Sequence, residues 1–391
     1  MKKIIIVTLI IGILGISYWL GGRIYQKSRN SKQSSVGSRQ SAINKNQSEV
    51  GGKQSTVSSW QLADKNQENK TAFHESKSVF VPYWSVATDE AQLEDYDKVY
   101  YFGVTTANLG INRRDTGYLQ LKNFTTVINS TQESILVLRM LDENDIHTVL
   151  DSENLQNKII EDFITLTQEN RFKGIALDLE ISTLFPEAIE EKISRFAIKL
   201  FNSAKKVKLK TSLLVYGDLF YRKRPYNLTV LAPQVDEVVV MAYDYHKSQG
   251  EPGPNFPFLG KEKYGYDFQT MILDYAKLVP KEKLTIVFGM FGYEWSVDEK
   301  KKPIKPAESL SLNEIKKKFL EKCEWKDCVI KRDQLSGETE INYITSQLKD
   351  DFAYLYYNIV WFEDEQSVAL KSDWLKKQGI GSAAYWAWGY Y

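Results

Sequence analysis

Apolar and polar positions divide the chain into three unlike stretches. Ile4–Leu20 is an apolar run without charge, preceded by Lys2 and Lys3 and closed by Tyr18 and Trp19. Its length sits at the lower limit for a spanning helix, and aromatic residues belong at a membrane interface. It predicts a signal anchor over 1–22. Gly15 and Ser17, at small-x-small spacing, leave a cleaved signal peptide as the alternative. Residues 23–75 are rich in Ser, Gln, Lys and Asn and almost free of large apolar side chains. Such a segment cannot bury enough surface to offset the entropy of ordering, which predicts a flexible polar linker. The expected location is therefore a membrane-anchored chain with its folded part outside the cytoplasm, or a secreted one if the segment is removed.

From residue 76 to 391 the pattern changes again. Short continuous apolar runs occur at Val79–Trp84, Lys98–Val104, Ser134–Met140, Gly174–Leu179, Lys210–Val215, Glu237–Tyr243, Leu284–Met290 and Gly381–Trp386. Runs of this kind suit parallel strands covered on both faces. Helical spacing appears between them. Leu155, Ile159, Ile160, Phe163, Ile164 and Leu166 follow Ser152 as a cap. Ile189, Ile193, Phe196, Ala197, Leu200, Phe201 and Ala204 follow Pro186. Val368, Leu370, Trp374 and Leu375 run from Asp364 to Gly379. Eight strands with intervening helices predict an α/β fold, a (β/α)8 TIM barrel. A doubly wound open sheet is the alternative, without a Gly-rich dinucleotide turn to support it. The interval before the last helix is too long for one loop, which predicts an inserted α+β subdomain at about 296–362.

In such a barrel the reactive groups lie at the C-terminal ends of strands. RFKGIALDLEIS is the informative segment. Alternation points Gly174, Ala176, Asp178 and Glu180 inward, and Ile175, Leu177 and Leu179 outward. Two carboxylates then meet at the top of the barrel. Burying paired charge costs several kcal/mol, so an acid/base pair with one raised pKa is expected. A capping Asp and a solvated Glu at a strand end is the alternative.

Composition removes competing functions. Net charge is +1, which offers no basic face for nucleic acid. The 3 His and 2 Cys show no zinc spacing and no HExxH, so neither metal nor cofactor is expected. Cys323 and Cys328 are near enough for a small disulfide in an extracellular domain, or are two free thiols; spacing does not choose. Aromatic residues make up 13% of the chain, divided between core and surfaces able to stack on flat ligands.

The chain resembles glycoside hydrolase family 18, the chitinase-like hydrolases. The family's fourth-strand signature, DGxDxDxE, is matched in KGIALDLE by Asp178 and Glu180. Its sixth-strand M-x-Y-D is matched by Met241, Tyr243 and Asp244. Gly289 and Tyr293 in GMFGY, Trp386 in GIGSAAYW, and the Tyr83-Trp84 pair complete the set. The resemblance implies hydrolysis of β-linked N-acetylglucosamine polymers in which the substrate's acetamido group acts as nucleophile. Glu180 is then the acid and base, Asp178 orients the acetamido group, Tyr243 hydrogen-bonds it and Asp244 sits beside Glu180. Tyr83, Trp84, Met241, Tyr293 and Trp386 contact the sugar, Trp386 as its floor. A glycan-binding barrel without turnover is the alternative. Two departures bear on mechanism. Lys173 and Ala176 replace family Asp positions, so Asp178 has no Asp with which to share a proton, and support for its charge falls to Glu180, Tyr243 and backbone donors. The third strand ends LRML where many relatives show SxGG, which reshapes the groove near Arg139.

Overall fold

The computed structural model describes residues 75–86, 93–128, 132–181, 188–349 and 352–391. The expected anchor over 1–22, the linker up to residue 74 and the Pro186 helix start lie outside the described residues. No helix among the described residues is long and apolar enough to cross a membrane.

Each of the eight apolar runs forms a parallel strand. They are β1 (Ser76–Pro82), β2 (Lys98–Ala107), β3 (Glu133–Met140), β4 (Gly174–Leu179), β5 (Lys210–Tyr216), β6 (Glu237–Ala242), β7 (Leu284–Gly289) and, last in the chain, β13 (Ser382–Trp386). β1 pairs in parallel with both β2 and β13, which closes the sheet and excludes the open, doubly wound alternative. The expected first run extended to Trp84, but Tyr83–Ser85 is a single 3-10 turn after Pro82. Proline lacks the N–H that would continue the ladder.

Inside the barrel, Phe80, Tyr100, Ile135, Val137, Ala176, Leu214, Val239, Val287 and Ala384 pack together. Ile175, Leu177 and Leu179 face outward and join the larger core beneath the helices. Among these, α1 (Thr116–Val127), α2 (Glu143–Leu150), α3 (Glu153–Glu169), α4 (Ile189–Lys206), α5 (Phe268–Tyr275) and α6 (Glu365–Lys377) follow the expected spacing where it was legible. Ser152 accepts from the Leu155 amide at the start of α3, and Asp364 accepts from Gln366 and Ser367 at the start of α6. Gly379, at φ 78°, follows α6 in the left-handed conformation that a side chain would strain. The helical stripe of α4 buries Ile193, Phe196, Leu200 and Phe201 completely. Each such side chain contributes about 1.5–3 kcal/mol through burial.

A second sheet leaves the barrel after β7. It is antiparallel and contains β8 (Phe291–Val297), β9 (Glu308–Ser311), β10 (Lys326–Arg332), β11 (Thr339–Lys349) and β12 (Phe352–Phe362), in the order β9-β8-β12-β11-β10. Cys323 and Cys328 form a disulfide at the start of its edge strand. Trp295, Val297, Ile359 and Trp361 form a small core of their own on one face.

Candidate active site

The C-terminal ends of β4, β5 and β6 converge on one narrow cleft lined by Glu180, Tyr216, Asp218, Arg224, Met241, Tyr243, Asp244 and Lys247. Four predicted residues, Glu180, Met241, Tyr243 and Asp244, therefore share one wall. Asp178 lies just beneath. It is 1% exposed, and its Oδ1 is buried without a hydrogen-bond partner. Burial and the neighbouring Glu180 charge push its carboxyl well above the usual range, while Arg139 pulls it down. Burial also raises Glu180, against a hydrogen bond from the Tyr216 hydroxyl and the charges of Lys247 and Arg224. Two carboxyls two residues apart at the end of one strand cannot both ionise freely in so dry a setting, the arrangement that separates an acid from a base.

Support for Asp178 differs from the expectation. Arg139 on β3, rather than Glu180 and Tyr243, is the group that favours its ionised form. Alternation along LRML carries the reason: Ile135 and Val137 face the barrel interior, so Arg139 does too, and it is the register partner of Asp178.

Asp244 leaves β6 at φ 59°, a strained conformation for a non-glycine residue. Its amide donates to Asn255 Oδ1 at 2.8 Å, and Asn255 Nδ2 donates to the Gly289 and Phe291 carbonyls at 3.2 and 3.3 Å. A Cβ on Gly289 would lie 2.7 Å from the Tyr243 Cβ, so glycine is required there. The Asn255 and Phe256 amides donate to the Glu338 carboxylate at 2.5 and 2.8 Å, and Lys371 binds Glu338 at 3.0 Å. The residue just before β11 thus anchors the loop that holds Asp244. Tyr293 donates to Asp244 Oδ1 at 2.8 Å, which gives it a positioning contact in addition to any contact with a sugar. Burial raises the Asp244 carboxyl, against Lys247 and the Tyr293 hydrogen bond.

An aromatic cluster adjoins Tyr243. The Trp386 ring lies 4.7 Å from Phe102, 6.3 Å from Tyr243 and 6.3 Å from Trp84. Trp84 is 47% exposed, a face free to stack. Tyr83 instead packs against Trp84 and the Arg139 guanidinium, 5.0 Å from its ring. His246 is held at Nδ1 by the Pro254 carbonyl at 2.8 Å, a structural contact. Among the described residues no group of three His, Cys, Asp or Glu side chains has the arrangement to hold a metal ion.

Tyr216, Arg224, Lys247, Asn255 and Glu338 were not singled out from the sequence. Tyr216 directly follows the apolar run Lys210–Val215, so its place at a strand top was available. Asn255 and Glu338 meet across 83 positions and carry no local pattern.

Comparison with known proteins gives the fold and the family. A cortical fragment-lytic enzyme of Bacillus anthracis is 24% identical over 304 residues, which cover 74% of this chain and 64% of the relative. The chain thus spans somewhat under two thirds of that relative's length. An Ostrinia furnacalis group IV chitinase, solved in complex with allosamidin, superposes with a TM-score of 0.65 at 16% identity, covering 80% of this chain and 92% of the other. The Bacillus cereus spore cortex-lytic enzyme SleL superposes with a TM-score of 0.60 at 18% identity, covering 81% and 71%. Residues 78–390 match the glycosyl hydrolases family 18 as a whole, and the chain belongs to that family.

Proposed function

We propose that the barrel hydrolyses β-linked glycans containing N-acetylglucosamine, such as peptidoglycan, chitin or chitooligosaccharides, by retaining, substrate-assisted catalysis. The observation that carries this reading is the inward pair Asp178 and Glu180 at the top of β4. Glu180, its carboxyl raised by burial and open to the cleft, gives its proton to the glycosidic oxygen. The substrate's own acetamido oxygen closes on the anomeric carbon, in place of an enzyme carboxylate. Asp178 accepts from the acetamido N–H, which supplies the partner its Oδ1 lacks, and faces the positive charge of the cyclic intermediate. Tyr243 holds the acetamido oxygen, and Trp386 lies under the sugar's C–H face. Glu180 then takes a proton from the incoming water, and the anomeric configuration is retained. Relatives named as cortex-lytic enzymes and chitinases support a glycan of this class. The apolar N-terminal run and polar linker support a location outside the cytoplasm, tethered to the membrane.

Incubating the full chain with chitooligosaccharides and with peptidoglycan, and reading the new ends by mass spectrometry, tests the reading. Wild type is expected to release products. Glu180→Gln is expected to bind the sugar without cleaving it. Equal product from both proteins overturns the enzymatic reading, and binding without turnover by wild type selects a glycan-binding barrel. Oligosaccharides without an acetamido group are expected to stay intact. Their equal cleavage overturns substrate assistance.

A further inference from the structure

Arginine is an unusual occupant of a barrel interior. Arg139 is 7% exposed, and its Nε is buried with no hydrogen-bond partner. A guanidinium is expensive to bury unless something offsets the loss of water. Two features do so in part. Its Cζ lies over the Tyr83 ring, 5.0 Å from the centroid, and over the Phe102 ring, 4.9 Å from the centroid, a cation against two π faces. Its Nη2 lies 3.4 Å from Asp115 Oδ2, an oxygen that also accepts from the Gly117 amide at 2.8 Å. A 3.4 Å contact to an oxygen shared with the start of α1 leaves much of the positive charge unmatched.

The neighbouring strand carries a complementary defect. Arg139 and Asp178 are register partners on adjacent parallel strands, which run about 4.8 Å apart, and both side chains take the inward face. Asp178 Oδ1 is buried and unpartnered, and Ala176 below it supplies neither charge nor proton. Arg224 and Lys247 act on Glu180 in the cleft above, whereas the charges acting on Asp178 are Glu180 and Arg139. Glu180 follows on its own strand, Tyr216 ends β5, Tyr226 comes from the loop after it, and Tyr243 follows β6. Arg139 is the cation acting on it there.

We propose that Arg139 is the counter-ion of Asp178: stacked on Tyr83 and Phe102, its guanidinium opposes burial and favours the charged form of that carboxylate, the form that meets the cationic intermediate. Arg139 is thus a positioning residue. The proposal rests on the glycosidase reading of Asp178 for its purpose, but not for its electrostatics. If Asp178 must be ionised to work, removing Arg139 favours its protonated form, and the acid limb of the activity profile moves to higher pH.

The direct test needs no turnover. In the full-length Glu180→Gln protein, the Asp178 carboxyl is followed by carbon NMR with labelled aspartate, and assigned by its loss in Asp178→Asn. With Arg139→Met its titration midpoint is expected to rise by about one pH unit or more, a tenfold change in proton affinity. With Arg139→Lys, which keeps the charge and loses the planar stacking, the midpoint is expected to stay near that of the parent. An unchanged midpoint in Arg139→Met, or a Lys variant that behaves as Met, overturns the proposal and leaves a packing role. In the Glu180 background, kcat/KM of Arg139→Met is expected to fall about tenfold on the acid limb and to recover toward high pH. A shifted NMR midpoint with no turnover by wild type would uphold the Arg139 pairing and overturn the glycosidase reading instead.

Discussion

The barrel carries a buried carboxylate at each end, and the two are built in opposite ways. At the bottom, Glu237 on β6 meets Lys98 at 3.0 Å, Tyr100 and Ser212 at 2.7 Å each, and the Thr285 hydroxyl. Burial pushes its carboxyl up, but Lys98 and these hydroxyl donors outweigh burial and hold it below the ordinary range. At the top, Asp178 has one oxygen without any partner and a raised carboxyl. The same interior thus contains one satisfied charge and one unsatisfied charge. Burial of an acid is not by itself a sign of function. A buried acid whose hydrogen bonds are left for something else to make is such a sign.

The largest effect expected to sharpen this contrast is on turnover. Glu180→Gln is expected to lower kcat by about 10²–10⁴-fold, the usual contribution of a general acid, with unfolding midpoints unchanged. Release of reducing ends checks it.

Next comes stability. Glu237→Ala breaks a fully paired buried charge and is expected to cost about 3–5 kcal/mol in urea unfolding. Asp178→Ala removes a charge without full compensation and is expected to cost about 1 kcal/mol or less while abolishing turnover. Equal costs for the two substitutions would erase the contrast between the two ends.

The pH dependence of stability separates them further, with opposite signs. Asp178 has a folded pKa above its unfolded value. Its contribution is full below about pH 4 and is lost as pH rises through the folded value. Glu237 has a depressed folded pKa, so its contribution is present above about pH 4.3 and is lost as pH falls. Asp178→Asn is expected to flatten the decline on the alkaline side, and Glu237→Gln the decline in acid. A third acid behaves like Asp178. Glu363 is pushed up to about 8 by burial and by Glu338, against Lys371. Its contribution falls away as pH rises from about 4.3 to about 8, and Glu363→Gln should remove that slope in thermal unfolding curves.

The smallest effect concerns one hydroxyl. Tyr216→Phe deletes the hydrogen bond that holds Glu180 down. The alkaline limb of kcat is expected to move upward by about one pH unit, since a hydrogen bond to a charged carboxylate is worth about 1.5 kcal/mol. A downward move would mean that Tyr216 favours the protonated acid.

Local patterns made much of this legible before any coordinates. Eight apolar runs became eight barrel strands because a strand covered on both faces has no polar position to hide it. Alternation in GIALDLE placed Asp178 and Glu180 inward, since the side-chain period of a strand is two and admits no third choice. The caps at Ser152 and Asp364 and the stop at Gly379 were equally local. The spacing of Cys323 and Cys328 left disulfide and free thiols open, because bridging depends on Cα separation, here 6.3 Å.

Tertiary structure decided what depends on distance across the chain. Arg139 acquired its partner only when β3 and β4 aligned in register, and its ring contacts only when the turn after β1 placed Tyr83 above it. Asp244 is held by Asn255, and Asn255 by Glu338, through bonds between positions 11 and 83 residues apart in the chain. Hydrogen bonding and charge act over a few ångströms of space, whatever the separation in sequence. The sequence by itself therefore determined the barrel and the pair of acids at its mouth. Only the folded chain decided which groups compensate those acids, and which charge was left open.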